Sequence, residues 1–395
     1  MKPVRFFLPM LLLILSFPAC NSLPAGPSKK DVVTGAVKID EYRKLIEGKA
    51  IAIVANQTSM AGNSHLVDTL LSMGMNIRVI FAPEHGFRDL ADAGAKITDG
   101  KDPVSGVPII SLYGSHLKPT KEDLDSIDVV IYDIQDVGTR FYTYISTLSL
   151  VEEACAENNI KYIILDRPNP NGFYFDGNIL DTAFNSFVGM HPVPVAHGMT
   201  IGEYASMING EGWLKGGVKC DLTVIRCNNW DHSTYYELPV KPSPNLPNQT
   251  AVYLYPSLCF FEGTVLSCGR GTDFPFQAFG GPDMPDKGFS FTPNPGFGAA
   301  NPLHNGKLCY GTDLRNAIKD KLVPVPHINL DWVISAYKDY PDKEKFFKKY
   351  FDTLAGGPTI REQIIKGMTA DEIRETWKPG LEQFGKIREK YLLYK

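Results

Sequence analysis

The sequence predicts a doubly wound α/β domain followed by a smaller α+β domain, on three observations. From about residue 36, short and nearly continuous apolar runs rich in β-branched residues alternate with helical patterns. Pro and Gly, 29 and 35 residues, separate these runs with defined turns. From about residue 190 the texture changes: Tyr, Phe, Pro and Gly become denser, and helical periodicity returns clearly only at 200–209, 330–337 and the tail. The expected division is therefore 36–188 for the first domain and 189–395 for the second.

The elements follow in order. The run at 49–55 (KAIAIVA) reads as the first strand, after which Ser64 can cap a helix over 65–73 that Gly74 ends. The runs at 77–82 (IRVIFA), 107–113 (VPIISLY), 128–133 (DVVIYD) and 161–166 (KYIILD) read as further strands covered on both faces. Thr120 can cap a short turn through Ser126. A helix over 142–157 places Ile145, Leu148, Val151 and Ala154 or Cys155 on one side. Thr359 with Glu362 and Thr369 with Glu372 read as two capping boxes, so the last 35 or so residues are expected to be helical.

Composition excludes several classes. With 395 residues, 44% hydrophobic and 21% charged, the chain can bury a large core and is not disordered. Lys and Arg number 40 against 44 Asp and Glu, a net charge of −4 without any basic block, so nucleic acid is not an expected partner. Asn56-Gln57-Thr58-Ser59 stands where a GxGxxG would follow the first strand, and no GxxxxGK[ST] occurs, so no nucleotide cofactor is expected. There is no CxxC or HExxH, and His191 and His197 are separated by prolines rather than one helical turn apart, so no metal site is expected either.

The first residues form a separate segment. Lys2 and Arg5 precede an apolar stretch at 6–17, too short to span a bilayer comfortably and ordered like an export signal. It ends in Ser16-Phe17-Pro18-Ala19-Cys20, which resembles a bacterial lipoprotein cleavage site. The expectation is a signal peptide over 1–19, a lipid on Cys20 and a membrane tether over 20–35, with ordinary signal cleavage as the alternative. Loss of Lys2 and Arg5 would take the charge from −4 to −6. Such a chain would sit in the bacterial cell envelope as a periplasmic or outer-membrane lipoprotein. The other six cysteines are even in number and mostly flanked by apolar residues, which leaves buried thiols and bridges both open.

In an open parallel sheet, ligands bind beyond the carboxyl ends of the strands. There the second strand delivers Pro83-Glu84-His85-Gly86, the fourth delivers Asp133 and Gln135-Asp136-Val137-Gly138-Thr139-Arg140, and the fifth delivers Asp166-Arg167-Pro168-Asn169. Carboxylates gathered in one crevice are how an acid–base hydrolase drives two pKa values apart. Glu84, held between Pro83 and the His-Gly pair, is the leading functional carboxylate. Asp133 and Asp166 could equally cap the following turns or pair with Arg140 and Arg167. His85 could orient Glu84, bind substrate or bond backbone. Arg140, beside the aromatic run that includes Tyr142, could hold a substrate carboxylate or lock the Asp136 loop. The second domain adds Glu262, Arg270 and Asp273 among aromatics, a mixture that suits a sugar or a plain core, with Glu262 and Arg270 able to pair.

The motifs PEHG, QDVGTRFYTY, DRPNPNG, HGMTIGE, SPNLP, YPSLCFFEGT and SCGRGTDFPF, in this order, resemble the exo-β-N-acetylmuramidase family of NamZ type. The resemblance implies a Rossmann-like N-terminal domain, a smaller C-terminal domain and a cleft between them. It further implies release of N-acetylmuramic acid from the non-reducing end of muropeptides or other peptidoglycan-derived saccharides, with no cofactor. It makes Glu84 the leading catalytic carboxylate, with the QDVGTR and DRPNP loops lining the cleft; the mechanism expected on our own reading takes Asp136, Asp166 or Glu262 as its partner and sets Arg140 or Arg270 against the lactyl carboxylate. His85, Tyr142, Arg167, Asn169 and Asp273 complete the expected substrate-binding set. The stretch Gly280-Gly281-Pro282-Asp283-Met284 departs from the family pattern. A non-catalytic lipoprotein that binds muropeptides or glycans is the alternative; an amidase lacks any G-x-S-x-G or metal-ligand spacing.

Overall fold

The computed structural model describes residues 31–88, 99–318 and 326–395. The expected signal peptide, Cys20 and most of the tether lie outside the described residues. The folded body starts before residue 36: Val33 pairs with Asn228, and the Gly35 amide donates to the Asp166 carbonyl at 2.9 Å.

Helix α1 (Ile39–Ile46) leads into strand β1 (Ala50–Ala55), and a two-rung hairpin of β2 (Met60–Ala61) and β3 (Ser64–His65) follows. Ser64 is taken up by that hairpin, so helix α2 (Leu66–Ser72) is capped by the His65 side chain rather than by Ser64. Then come β4 (Asn76–Ala82), β5 (Gly100–Lys101), β6 (Pro108–Ser111), β7 (Val129–Asp133), helix α3 (Tyr144–Asn158), β8 (Lys161–Leu165), helix α4 (Ile201–Glu211) and β9 (Leu222–Ile225). These strands form one sheet in the order β5-β6-β4-β1-β7-β8-β9, parallel throughout except for the short β5. Counted in chain order, its parallel strands stand 3-2-1-4-5-6, the doubly wound arrangement in which the strand order reverses at β1.

The alternation along β1 explains why its run is apolar on both faces. Ile51 and Ile53 join a core with Leu66, Leu70 and Ile80 on one side of the sheet. Ala52 and Val54 face the other side, with Phe81, Val130, Tyr132, Leu148 and Tyr162. That second core continues without a break into Phe260, Phe261 and Phe351 of the C-terminal part. The sequence boundary at 188 is thereby corrected: the sheet takes its last strand from 222–225, and α4 packs on α3 below it. The switch to aromatic- and Pro-rich sequence marks loops that leave the sheet and return, not the end of the domain.

The remainder comprises α5 (Gln249–Leu258), a tight turn over Cys259–Gly263, and an antiparallel sheet in the order β10 (Ala278–Gly281), β12 (Cys309–Asp313), β11 (Ser290–Phe291). Among the described residues, six helices close the chain: α6 (Asp331–Asp339), α7 (Lys343–Phe346), α8 (Tyr350–Ala355), α9 (Thr359–Ile365), α10 (Ala370–Glu375) and α11 (Lys378–Glu389). The helical tail thus holds. Thr369 and Glu372 form their capping box, whereas Thr359 already lies inside the first turn after Pro358 and caps nothing. All six described cysteines are buried and free, so the bridges left open by their even number do not form.

Candidate active site

At the carboxyl ends of the strands on either side of β1, the chain encloses a cavity of 440 Å³. Glu84 and His85 after β4, Tyr113 after β6, and Phe141 to Tyr144 at the start of α3 form one side. Asn245, Tyr255, Glu262, Arg270, Phe276 and Tyr350 form the other.

Glu84 is aimed by a four-residue turn. The Gly86 amide donates to the Pro83 carbonyl at 3.0 Å, with His85 at φ +71° and Gly86 at +85°. A non-glycine residue at positive φ costs about 1–2 kcal/mol, so the rest of the fold holds this turn in place. The Thr143 hydroxyl, at the N-terminus of α3, donates to the Glu84 carboxylate at 2.8 Å. Tyr113 also bonds Glu84; burial, followed by the charge of Glu84, pushes its phenol up to about 12, so it remains a donor.

Across the cavity, Arg270 Nε donates to Glu262 at 2.7 Å, the pairing that their spacing allowed. Burial works against the Arg270 charge, but Glu262 outweighs it and holds the guanidinium firmly protonated. The Phe276 ring lies under that guanidinium at 5.2 Å. Tyr350 senses both carboxylates: burial first, then Cys259, Glu262 and Glu84, raise its phenol well above the ordinary value. Tyr142 and Tyr144 both donate to the Pro242 carbonyl, at 2.8 and 3.3 Å, which ties the start of α3 to the Ser243-Pro244-Asn245 wall.

Of the residues expected at the site, Glu84, His85, Tyr142, Glu262 and Arg270 line this cavity. Asp136, Asp166, Arg140, Arg167 and Asn169 do not; each is buried in the loops beneath it. Asp136 accepts the Gly138 amide at 2.6 Å and faces His197 at 3.6 Å. Asp166 accepts from Tyr394 at 2.6 Å, Thr200 at 2.7 Å and the Gly202 amide at 2.9 Å, so it knits α4 and the C-terminus to the sheet. Burial raises its carboxyl to about 6, against the lowering effect of those bonds. Arg167 grips Asp133 with two bonds of 2.7 and 2.9 Å, the ion pair left open by the sequence. Asn169 bonds the Met199 carbonyl at 2.9 Å.

Arg140 is the clearest correction. Its guanidinium donates to the carbonyls of Asn178, Val193, Leu354 and Ala355 at 2.8, 2.9, 3.2 and 2.9 Å, and only 1% of the residue is exposed. Burial lowers its pKa only to about 9, so it stays charged at neutral pH, and backbone carbonyls rather than a ligand occupy its two terminal nitrogens. Asp273 lines a neighbouring cavity instead.

Sequence reasoning missed Tyr113, Thr143 and Tyr350. Tyr113 was absorbed into a strand that ends at Ser111. Thr143 stood in an aromatic run that drew attention to its neighbours, and Tyr350 carries no local signal. The departure at Gly280-Gly281 falls in β10, where Gly280 packs on Tyr310 and Gly281 on Leu266, away from the cavity lining.

Comparisons with known proteins identify relatives of the whole chain. Residues 51–250 match the family model "Exo-beta-N-acetylmuramidase NamZ, N-terminal", and residues 253–394 match its C-terminal counterpart. The chain is 37% identical, over the full length of both, to the peptidoglycan beta-N-acetylmuramidase NamZ of Bacillus subtilis. Two crystal structures of DUF1343 family proteins from Bacteroides fragilis superpose with TM-scores of 0.86 and 0.79, at 47% and 28% identity. Each covers 92% of this chain and 99% of its own. A mostly parallel sheet in 3-2-1-4-5-6 order, a carboxylate-bearing cavity at its switch point and matches to both family domains lead to one assignment: the chain belongs to the NamZ exo-beta-N-acetylmuramidase family.

Proposed function

We propose that this protein is an exo-acting glycoside hydrolase that releases N-acetylmuramic acid from the non-reducing end of peptidoglycan fragments during wall turnover. The observation that carries this reading is the pair Glu84 and Glu262 facing one cavity whose remaining walls are largely aromatic. Glycosidases work with two carboxyl groups flanking the scissile bond, one giving a proton and one supporting the oxocarbenium-like transition state or activating water. Glu84 is the proton donor. A hydroxyl can both donate and accept, so Thr143 follows Glu84 as it loses and regains its proton. Glu262 supplies the negative charge opposite it, and Arg270 meets the lactyl carboxylate of the sugar. Asp136 and Asp166 leave the catalytic set because both are buried and neither lines the cavity.

The test is release of free N-acetylmuramic acid from its disaccharide with N-acetylglucosamine, wild type beside Glu84→Gln. A loss of roughly 10²- to 10⁴-fold in kcat is expected in a folded variant. Turnover that survives Glu84→Gln moves the acid role to Glu262, and absence of turnover in wild type refutes the reading.

We also propose that residues 1–19 export the chain and that lipid on Cys20 holds it in the cell envelope. The charge-then-apolar order ending in Ala19-Cys20 supports this. Cys20→Ser should move the protein from the membrane to the soluble fraction of cells, and an unchanged distribution would refute the anchor.

A further inference from the structure

Beside the catalytic cavity lies a second one of 760 Å³, within the 300–1,000 Å³ or so typical of ligand sites. The two share a wall. Asn245 lines both, and Arg270 lines the first while Gly271, next in the chain, lines the second. We propose that this second cavity is the site for the leaving part of the substrate, and that it takes neutral N-acetylated amino sugar. The assignment rests on the reaction proposed above.

Three observations carry it. First, Phe297 is a large ring left 62% exposed, and it lines the cavity without serving a core. It sits at the tip of a tight turn in which Gly296 and Ala299 exchange backbone bonds of 3.2 and 3.0 Å. That turn is pinned to the shared wall, because the Asn245 side-chain amide donates to the Gly298 carbonyl at 2.7 Å. It is fixed at its other end as well, where the Asn294 amide donates to the Gly271 carbonyl at 2.8 Å. Gly271 and Gly298, at φ +80° and +82°, have no room for a Cβ against Pro302 and Pro244 respectively, so the approach of the turn to the wall is built in.

Second, Phe274 offers another ring to the same cavity, packed on Phe291 with centroids 6.1 Å apart and covered by Arg315 at 4.7 Å. Rings of this kind stack on the apolar C–H faces of a pyranose, and the adjacent Thr272, Asp273 and Asn294 can bond its hydroxyl and amide groups. Third, charge separates the two cavities. The first, although Glu84 and Glu262 also line it, offers Arg270 as a cation for the sugar with a lactyl carboxylate, whereas Asp273 is the one charged residue among the described residues lining the second. A carboxylate-bearing sugar is disfavoured there and a neutral one is not. Glycan in which the two sugars alternate therefore enters in one register, with the acidic sugar at Arg270 and the neutral one at Asp273.

The probe is N,N′-diacetylchitobiose, a neutral disaccharide without any lactyl group, with binding read by saturation-transfer NMR on the wild type, Phe297→Ala and Asp273→Asn. Both side chains are exposed, so neither variant endangers the fold. Each should bind the probe about three- to tenfold more weakly than wild type. Free N-acetylmuramic acid should bind alongside the probe without displacing it. Equal affinity of all three proteins, or full displacement by N-acetylmuramic acid, would overturn the assignment. Failure of the hydrolytic reading shows separately, as wild type that turns over no N-acetylmuramic glycoside, and leaves the binding experiment readable.

Discussion

Replacing Arg140 by Met distinguishes a structural arginine from a ligand-binding one. The side chain keeps most of its length but loses every donor. Four buried carbonyls, from Asn178, Val193, Leu354 and Ala355, then lose a donor together, although Val193 keeps the Leu180 amide and Ala355 keeps the Asn178 side-chain amide. An orphaned buried polar group costs about 1–3 kcal/mol, and part of that is recovered where water or a shifted amide can reach it. The positive charge at the C-terminal end of α8 is lost as well, a further contribution of about 0.3–1 kcal/mol. The sum expected is about 3–5 kcal/mol, a large share of the roughly 5–15 kcal/mol that holds a folded protein together. Urea unfolding of wild type, Arg140→Met and Arg140→Lys reads it directly, with Lys intermediate because one ammonium cannot span four carbonyls. The variant's effect on catalysis should come through α8, whose first residue, Tyr350, lines the active cavity. A midpoint unchanged to within about 1 kcal/mol, together with a tenfold higher KM, would mean that Arg140 binds substrate and that this reasoning is wrong.

Two further outcomes are expected. Burial raises the Asp166 carboxyl from its ordinary 3.8 to about 6, so between those values the native state holds a proton that the unfolded chain releases. Stability from this group is therefore greatest below pH 4, falls as pH rises from about 4 to 6 and levels off above that. The unfolding free energy of Asp166→Asn should show a flatter profile over that window, and identical slopes would contradict the assignment. Arg270→Ala should raise KM for N-acetylmuramic glycosides by about tenfold while leaving affinity for the corresponding lactyl amide much less altered. Equal losses on both substrates would remove Arg270 from the recognition of that carboxylate.

The parallel strands were legible because both of their faces are covered: β1, β4, β7 and β8 each carry an uninterrupted apolar run that no exposed element would tolerate. The PEHG turn was legible because Pro83 and Gly86 restrict the backbone on either side of Glu84, which restricts where a carboxylate can point. Boundaries were harder. Tyr113 looked like a strand residue because apolar character outlasts the ladder by two positions, and Ser64 looked like a cap because its use in a hairpin depends on a partner strand only two residues long.

What sequence could not separate is which of two similar arginines is sealed inside. Arg140 and Arg270 each follow a glycine-containing turn and adjoin aromatics, so local chemistry is alike. The distinction comes from distant chain. Two of the four carbonyls that hold Arg140 belong to residues more than two hundred positions later, in α8, while Arg270 meets Glu262 only eight positions away and at the rim of a cavity. Asp166 is settled in the same manner by Tyr394, almost the last residue. The C-terminal helices therefore do more than complete the cleft with Tyr350. With α8 satisfying Arg140 and Tyr394, beyond the last helix, satisfying Asp166, two charged residues of the sheet loops become internal supports, which leaves Glu84 and Glu262 as the carboxylates facing the cavity.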